Sequence, residues 1–139
     1  MARIGGEKTR CSGQWTEAKF RSFVKGNLRM ATMKWAPIQQ CLAAAREERG
    51  KYRCAGCGEL VPATIKVGRI RKKNIHVDHI EPVIDPAVGW VSWDSTVDKL
   101  FCELDNLQAL CTDCHDIKTQ EEKDVAKARR ALEKDEYVE

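Results

Sequence analysis

The sequence predicts a small α+β fold. A body of short strands and a long helix, stapled by a metal at its cysteines, follows a basic helical arm. Three observations predict this. First, two CxxC pairs, Cys54/Cys57 and Cys111/Cys114, bracket an excursion of 53 residues. Second, the apolar spacing is helical up to about residue 50, strand-like from Tyr52, and helical again after Thr112. Third, charge is divided along the chain. Residues 1–53 hold 12 lysines and arginines against four acids, a net +8, whereas residues 54–118 carry −3 and residues 119–139 carry −2.

At 139 residues, 42% hydrophobic and 32% charged, the chain fits one domain or a small domain with an appendage. That composition excludes a collagen-like or wholly disordered protein. No apolar run approaches the roughly 20 residues of a membrane span, so no membrane association is expected. The start, MARIGGEKTR, lacks the apolar core of a secretory signal, and a cytoplasmic location is expected. Seven cysteines, an odd number, with no sign of export argue against disulfides. Cys11, Cys41 and Cys102 are scattered and read as ordinary residues. A core this small gains from a metal staple.

Residues 1–14, with Gly5, Gly6, Gly13 and several charges, read as a flexible tail. Residues 15–51 read as the basic arm. Thr16 can cap a helix carrying Phe20, Phe23, Val24 and Leu28, and Pro37 opens a second helix carrying Ile38, Cys41, Leu42 and Ala45. Gly50 should end that helix. Residues 52–136 form the metal-bearing domain. Strands are expected over 61–67, 74–80 and 107–110, with the basic stretch 69–73 between the first two. Residues 82–100, rich in Pro, Gly and Trp, read as a long ordered loop. A long polar helix then runs from Thr112 to about residue 136, with Ile117, Val125, Ala128 and Leu132 on its buried side. The four tryptophans read as packing residues.

Zinc prefers four thiolate or imidazole ligands in a tetrahedron, and a CxxC turn offers two sulfurs from one side. Two such turns complete the shell, so Cys54, Cys57, Cys111 and Cys114 are the expected ligands of a structural Zn²⁺. The glycine-rich knuckle Cys-Ala-Gly-Cys-Gly and the lack of a thioredoxin pattern argue against redox chemistry. The intervening excursion must fold so that both its ends return to the ion.

Between and after the pairs lie the strings VDHIEPV, DNLQALC and CTDCHDIKT. In their order, spacing and placement around the CxxC pairs they resemble the HNH endonuclease family, over about residues 52–120. The segment LRMATMKWAP is similar, more weakly, to the helical leader of bacteriophage HNH proteins. The resemblance implies a ββα-metal core around one divalent ion, and hydrolysis of DNA phosphodiester bonds. It also implies that Asn106 steadies the loop and orients His79. Homing, packaging and restriction roles all remain open on these residues.

The residue chemistry points the same way. Asp78 offers a hard oxygen and His115 a neutral nitrogen, so the two can hold Mg²⁺, Mn²⁺ or another divalent ion with positions left for phosphate and water. Imidazole titrates near neutrality, so His79 can take a proton from that water. The catalytic group is then His79, Asn106, Asp78 and His115. His76 shares the face of Asp78 and is a candidate extra ligand. Strict alternation puts Asp78 and His79 on opposite faces, so one site needs the strand to end or bend there.

The expected partner is double-stranded DNA. Lys25, Arg29, Lys34, Arg69, Arg71, Lys72, Lys73 and Lys118 are the candidate phosphate contacts. One constellation cuts one strand, so nicking is expected of a monomer, with monomer and dimer both open. The alternative reading is a zinc-stabilised, non-catalytic module that binds DNA or serves phage packaging.

Overall fold

The computed structural model describes residues 6–136. The chain divides into two compact units, one ending at Met33 and the other starting at Lys34. In the first unit, strands β1 (Lys8–Arg10) and β2 (Trp15–Thr16) pair antiparallel and lead into helix α1 (Glu17–Thr32). The Thr16 side chain accepts from the Lys19 amide at 3.2 Å, which is the expected N-cap. Residues 1–5 of the expected tail lie outside the described residues, but residues 8–14 are ordered, contrary to expectation. Their order has a cause. Arg10 pairs with the Glu17 carboxylate at 2.8 Å, Thr9 donates to the same oxygen, and the Arg10 guanidinium covers the Phe20 ring at 4.3 Å. Trp15 packs edge-on against Phe23.

The second unit opens with helix α2 (Ala36–Ala45), which has Pro37 in its first turn. The helix was expected to continue to Gly50 and instead ends at Ala45. Strand β3 (Arg46–Glu48) pairs with β4 (Lys51–Arg53), and β4 pairs with β5 (Leu60–Pro62). Gly50, at φ +72°, makes the β3–β4 turn rather than a helix stop. Two contacts hold the strand form: the Glu47–Arg53 ion pair across the hairpin, and Tyr52, packed on the core. Strands β6 (Thr64–Val67) and β7 (Ile70–Lys73) then form a separate two-stranded ribbon. The basic stretch expected to separate two strands is therefore mostly a strand itself.

Strand β8 (Ile75–His79) pairs antiparallel with β9 (Leu107–Cys111) in the register Ile75↔Cys111 through His79↔Leu107. The connection was expected to be loop throughout, but it contains helix α3 (Trp93–Leu100). Ser92 caps α3 by accepting from the Ser95 amide, and Thr96 and Leu100 are buried along it. A 3-10 turn, Leu104–Asn106, precedes β9. Helix α4 (Thr112–Glu136) follows β9 without a break.

Alternation along the β8–β9 pair separates two environments. Ile75, Leu107 and Ala109, with Val77 beside them, join Cys41 of α2 in the main core, where Ile38, Leu42, Ala45, Tyr52 and Val61 also pack. The opposite face carries His76, Asp78, Gln108 and Leu110, and α4 lies against the strand pair. The expected inner side of α4 is wrong. Ile117 and Leu132 are 60% and 67% exposed, and Val125 and Ala128 are exposed too. Beyond Thr112 and Cys114, the half-buried positions are His115, Lys118, Thr119, Glu122, Ala126 and Arg129. The helix turns this polar stripe inward because polar groups on β8 and a loop carbonyl are what it meets there. Arg129, for example, donates to the Val88 carbonyl at 3.4 Å, beneath Gly89, where a Cβ would collide with its guanidinium. No helix among the described residues is long and apolar enough to cross a membrane.

This arrangement predicts opposite outcomes for two truncations. Ile75→Ala, at a site 3% exposed, should cost about 2–5 kcal/mol. Leu132→Ala should cost less than about 0.5 kcal/mol. Urea denaturation of the full chain measures both, and a large loss at Leu132 would show that α4 buries the apolar stripe after all.

Candidate metal centre and the strand–helix seam

Cys54, Cys57, Cys111 and Cys114 come together, with their sulfurs all within 4.8 Å of one another. Backbone bonds shape the knuckle around the first pair. The Cys54 amide donates to the Glu59 carbonyl at 2.9 Å, the Gly58 amide returns to the Cys54 carbonyl at 3.0 Å, and the Ala55 amide joins β9 through the Ala109 carbonyl at 2.8 Å. The second pair sits where β9 becomes α4. Gly56 faces it closely, since a Cβ there would lie 3.1 Å from both the Cβ and the Sγ of Cys114.

The Cys57 and Cys111 sulfurs are 4.0 Å apart. That is far beyond a disulfide bond. It is close to the roughly 3.8 Å edge of a tetrahedron with Zn–S bonds of 2.3 Å. The electrostatics fit a cation too. Burial raises the Cys54 thiol, but amide hydrogen bonds from Cys111, Cys57 and Gly56 outweigh it and bring it down to about 6. Cys114 is pushed up to about 12, chiefly by its sulfur neighbours Cys111 and Cys54. Four thiolates in so small a space repel one another, and a divalent cation removes the conflict. The cluster is thus able to hold a metal ion and is compatible with structural zinc.

A second polar group lines the seam between β8 and α4, and it starts from the same helix turn. His76 stacks on His115 with ring centroids 4.8 Å apart, and its Nε2 lies 3.1 Å from the Thr112 hydroxyl. That hydroxyl donates to the Lys73 carbonyl at 3.3 Å, so it accepts from His76. Burial, then the neighbouring His115 and Lys73, push the His76 imidazole below its ordinary value. One turn along α4 from His115, the Lys118 ammonium meets three oxygens: Asp78 Oδ2 at 2.8 Å, Glu122 Oε1 at 2.9 Å and the His79 carbonyl at 2.7 Å. Burial works against this charge, but the hydrogen bonds to Asp78 and Glu122 prevail and raise the Lys118 pKa. Gln108, opposite Asp78 in the strand register, donates to Oδ2 at 3.2 Å.

His79 ends β8. Its ring leaves the seam and approaches the Leu100 carbonyl at the end of α3, with Nε2 at 3.1 Å. A carbonyl only accepts, so Nε2 carries the proton and Nδ1 keeps a lone pair. Asn106 clamps the turn that follows. Its Oδ1 accepts from the Glu81 amide at 2.9 Å, its Nδ2 donates to the Glu81 carbonyl at 3.3 Å, and its own carbonyl accepts from the Ile80 amide at 2.9 Å.

The candidate site residues thus fall into linked groups. The cysteines form one cluster, and His76, Asp78, His115 and Lys118 line one seam. His79 and Asn106 stand at its end. No hydrogen bond joins Asp78 to His115, and among the described residues no second cluster of three or more His, Cys, Asp or Glu ligands forms. Gln108, Glu122 and the Leu100 carbonyl are contacts that sequence reasoning missed. Glu122 had a signal, its four-residue spacing from Lys118. Gln108 becomes visible only with the strand register. Of the candidate cationic residues, Lys25 and Arg29 lie on α1, Lys34 precedes α2, and Arg69, Arg71, Lys72 and Lys73 are exposed on or beside β7.

Comparison with family models, curated proteins and solved structures returns no match. The chain is a small mixed α+β protein with four cysteines clustered at metal-binding distance.

One tightly held metal ion per chain is expected from elemental analysis of purified protein. Cys111→Ser and Gly56→Val should each lose it, the first by removing a ligand and the second by crowding Cys114. A strong chelator should lower the melting temperature, and full metal content in Cys111→Ser would refute the four-sulfur site.

Proposed function

We propose that this protein is a metal-dependent DNA endonuclease of the HNH type, held together by a structural zinc ion at its four cysteines. One observation carries the reading. Three separated strings, VDHIEPV, DNLQALC and CTDCHDIKT, supply the two strands and the helix of a single unit. Asp78 and His115 there face the same seam, and Asn106 clamps the turn after His79.

In this reading Asp78 and His115 hold the catalytic divalent ion. Among the described residues the Asp78 carboxylate is contacted by Gln108 and Lys118, both at Oδ2, and with His115 it would hold that ion. The bound ion supplies charge neutralisation at the phosphate and a more acidic water. The rest of the chemistry belongs to side chains. Leu100 fixes the His79 tautomer, so His79 Nδ1 accepts the proton from the attacking water. Asn106 keeps the backbone after His79 from moving. Lys118 places a positive charge within the seam, where it can pass from carboxylate to phosphate. His76 stacks on His115 and holds its ring plane, a supporting role rather than a ligand's.

Binding of the polyanion needs charge elsewhere. Arg21, Lys25 and Arg29 recur every four residues on α1, and Lys25 is pushed down, first by burial and then by Arg29 and Arg21. Like charges at this spacing weaken a helix. A phosphate backbone relieves that repulsion, which favours DNA as the partner.

Supercoiled plasmid should be nicked in Mg²⁺ or Mn²⁺. His79→Ala should slow nicking by about 10²–10⁴-fold with metal content and DNA affinity unchanged. Asp78→Asn should weaken binding of the catalytic ion. DNA binding without nicking under any divalent ion would leave the non-catalytic zinc module standing.

Neutralising Lys25, Arg29 and Lys34 together to Gln should weaken DNA binding across sequences. It should flatten the slope of log K against log salt by up to about 2.7 units, with turnover at saturating DNA little changed. Binding isotherms at several salt concentrations measure it, and an unchanged slope would remove these residues from the interface.

A further inference from the structure

The β6–β7 ribbon has a composition that the fold explains only in part, through the Arg71 guanidinium donating to the Thr64 hydroxyl at 3.1 Å. Register pairs Val67 with Ile70, Lys66 with Arg71, Ile65 with Lys72 and Thr64 with Lys73. Directly paired residues share a face, and successive pairs alternate. One face therefore carries Val67, Ile70, Ile65 and Lys72, and the other carries Lys66, Arg71, Thr64 and Lys73. A two-residue turn, Gly68 at φ +64° and Arg69, closes the tip. Residues 64–73 contain five cations and no acid.

The tip is the unexpected part. A hairpin end in water ordinarily carries polar residues. Here the pair nearest the turn is apolar, with Ile70 64% and Val67 48% exposed. The ribbon is also firmly mounted. Buried Asn74 closes its root, its amide donating to the Ala63 carbonyl at 2.8 Å and its side chain to the Pro62 carbonyl at 3.1 Å. The Lys73 carbonyl accepts from Thr112, the residue that also contacts His76. The root thus continues directly into the strand that carries Asp78 and His79.

We infer that this ribbon is a DNA wedge: Val67 and Ile70 press against a base step of duplex DNA while Lys66, Arg71 and Lys73 hold the flanking phosphates, bending the duplex beside the cleavage seam. The inference rests on the proposed reading of DNA as the partner. Charge complementarity selects the occupant, because five cations in ten residues match a phosphate backbone. The apolar tip selects the mode. Apolar side chains inserted between base steps unstack them and kink the duplex locally, whereas phosphate contacts from lysine and arginine position a protein without entering the base stack. A two-stranded ribbon is also narrow enough to enter a DNA groove.

The test uses the full, metal-loaded chain without added Mg²⁺ or Mn²⁺, so that DNA stays intact. A duplex labelled at both ends with a donor and an acceptor dye reports bending. The wild type should shorten the end-to-end distance. The double variant Val67→Ser/Ile70→Ser should keep the salt slope but lose the bend, with affinity falling roughly tenfold. The triple variant Lys66→Gln/Arg71→Gln/Lys73→Gln should flatten the salt slope by up to about 2.7 units. All substituted side chains are on the ribbon, so circular dichroism and metal content should match the wild type. A double variant that bends DNA like the wild type overturns the inference. So does a wild type that binds DNA without bending it, or that binds anionic lipid vesicles in preference to DNA. The two readings fail separately. Bending lost in the double variant with no nicking in Mg²⁺ sinks the nuclease and keeps the wedge. Nicking with an unchanged bend does the reverse.

Discussion

The rest of the structure hangs on the cysteine quartet. The chain between Cys57 and Cys111 leaves as one knuckle and returns as β9, and four sulfurs within 4.8 Å close that long loop. Closing a loop of this length restricts the unfolded chain far more than a local turn does. It also supplies what the core lacks. Apart from Leu100, the buried apolar residues among those described fall into two small clusters, and the second is made of Cys54, Cys111 and Leu110. Cysteine is therefore both candidate ligand and core residue here. Because Cys114 opens α4 and His115 follows it, the sulfur cluster also fixes the helix turn from which the polar seam begins.

Much of the candidate site was legible in the sequence because its signals are local. A CxxC turn is a four-residue object, and the cap at Thr16, the end of β8 at His79 and the strand before Cys111 are likewise set by near neighbours. The misreadings share another origin. Arg46–Glu48 carries no strand signal of its own, and the ladder to β4 and the Glu47–Arg53 pair make it one. The order of residues 8–14 comes from a carboxylate on α1. The apolar stripe on α4 pointed inward by pattern, yet Lys118 and Arg129 are what the helix turns toward the fold. In each case a tertiary polar contact decides the local form, and no single-sequence periodicity contains that information.

The seam shows how such contacts limit what the site can do. Alternation gives β8 one apolar and one polar face, and the polar face must be satisfied by α4. Lys118 does this for Asp78, Glu122 and the His79 carbonyl together. Three oxygens around one ammonium form a small cation-binding environment. The same geometry ties the position of α4 to the end of β8, so the turn clamped by Asn106 is braced from both sides.

Charge then sets the division of labour in the proposed reaction. Asp78 and Glu122 bring two negative charges to the seam against the single ammonium of Lys118, and the segment between Cys54 and Lys118 is acidic overall. Such a surface attracts a divalent cation and repels a phosphate backbone. A nuclease built this way must hold its substrate with other parts of the chain until the cation balances the seam. The basic stripe of α1 and the ribbon provide that charge, and the ribbon's root runs into the strand that ends at His79. Along that strand the His76–His115 stack lies between the ribbon's root and the Lys118–Asp78 pair. In the proposed reaction a phosphate reaching the seam would share Lys118 with Asp78 and Glu122, so that one ammonium would balance substrate and carboxylates together.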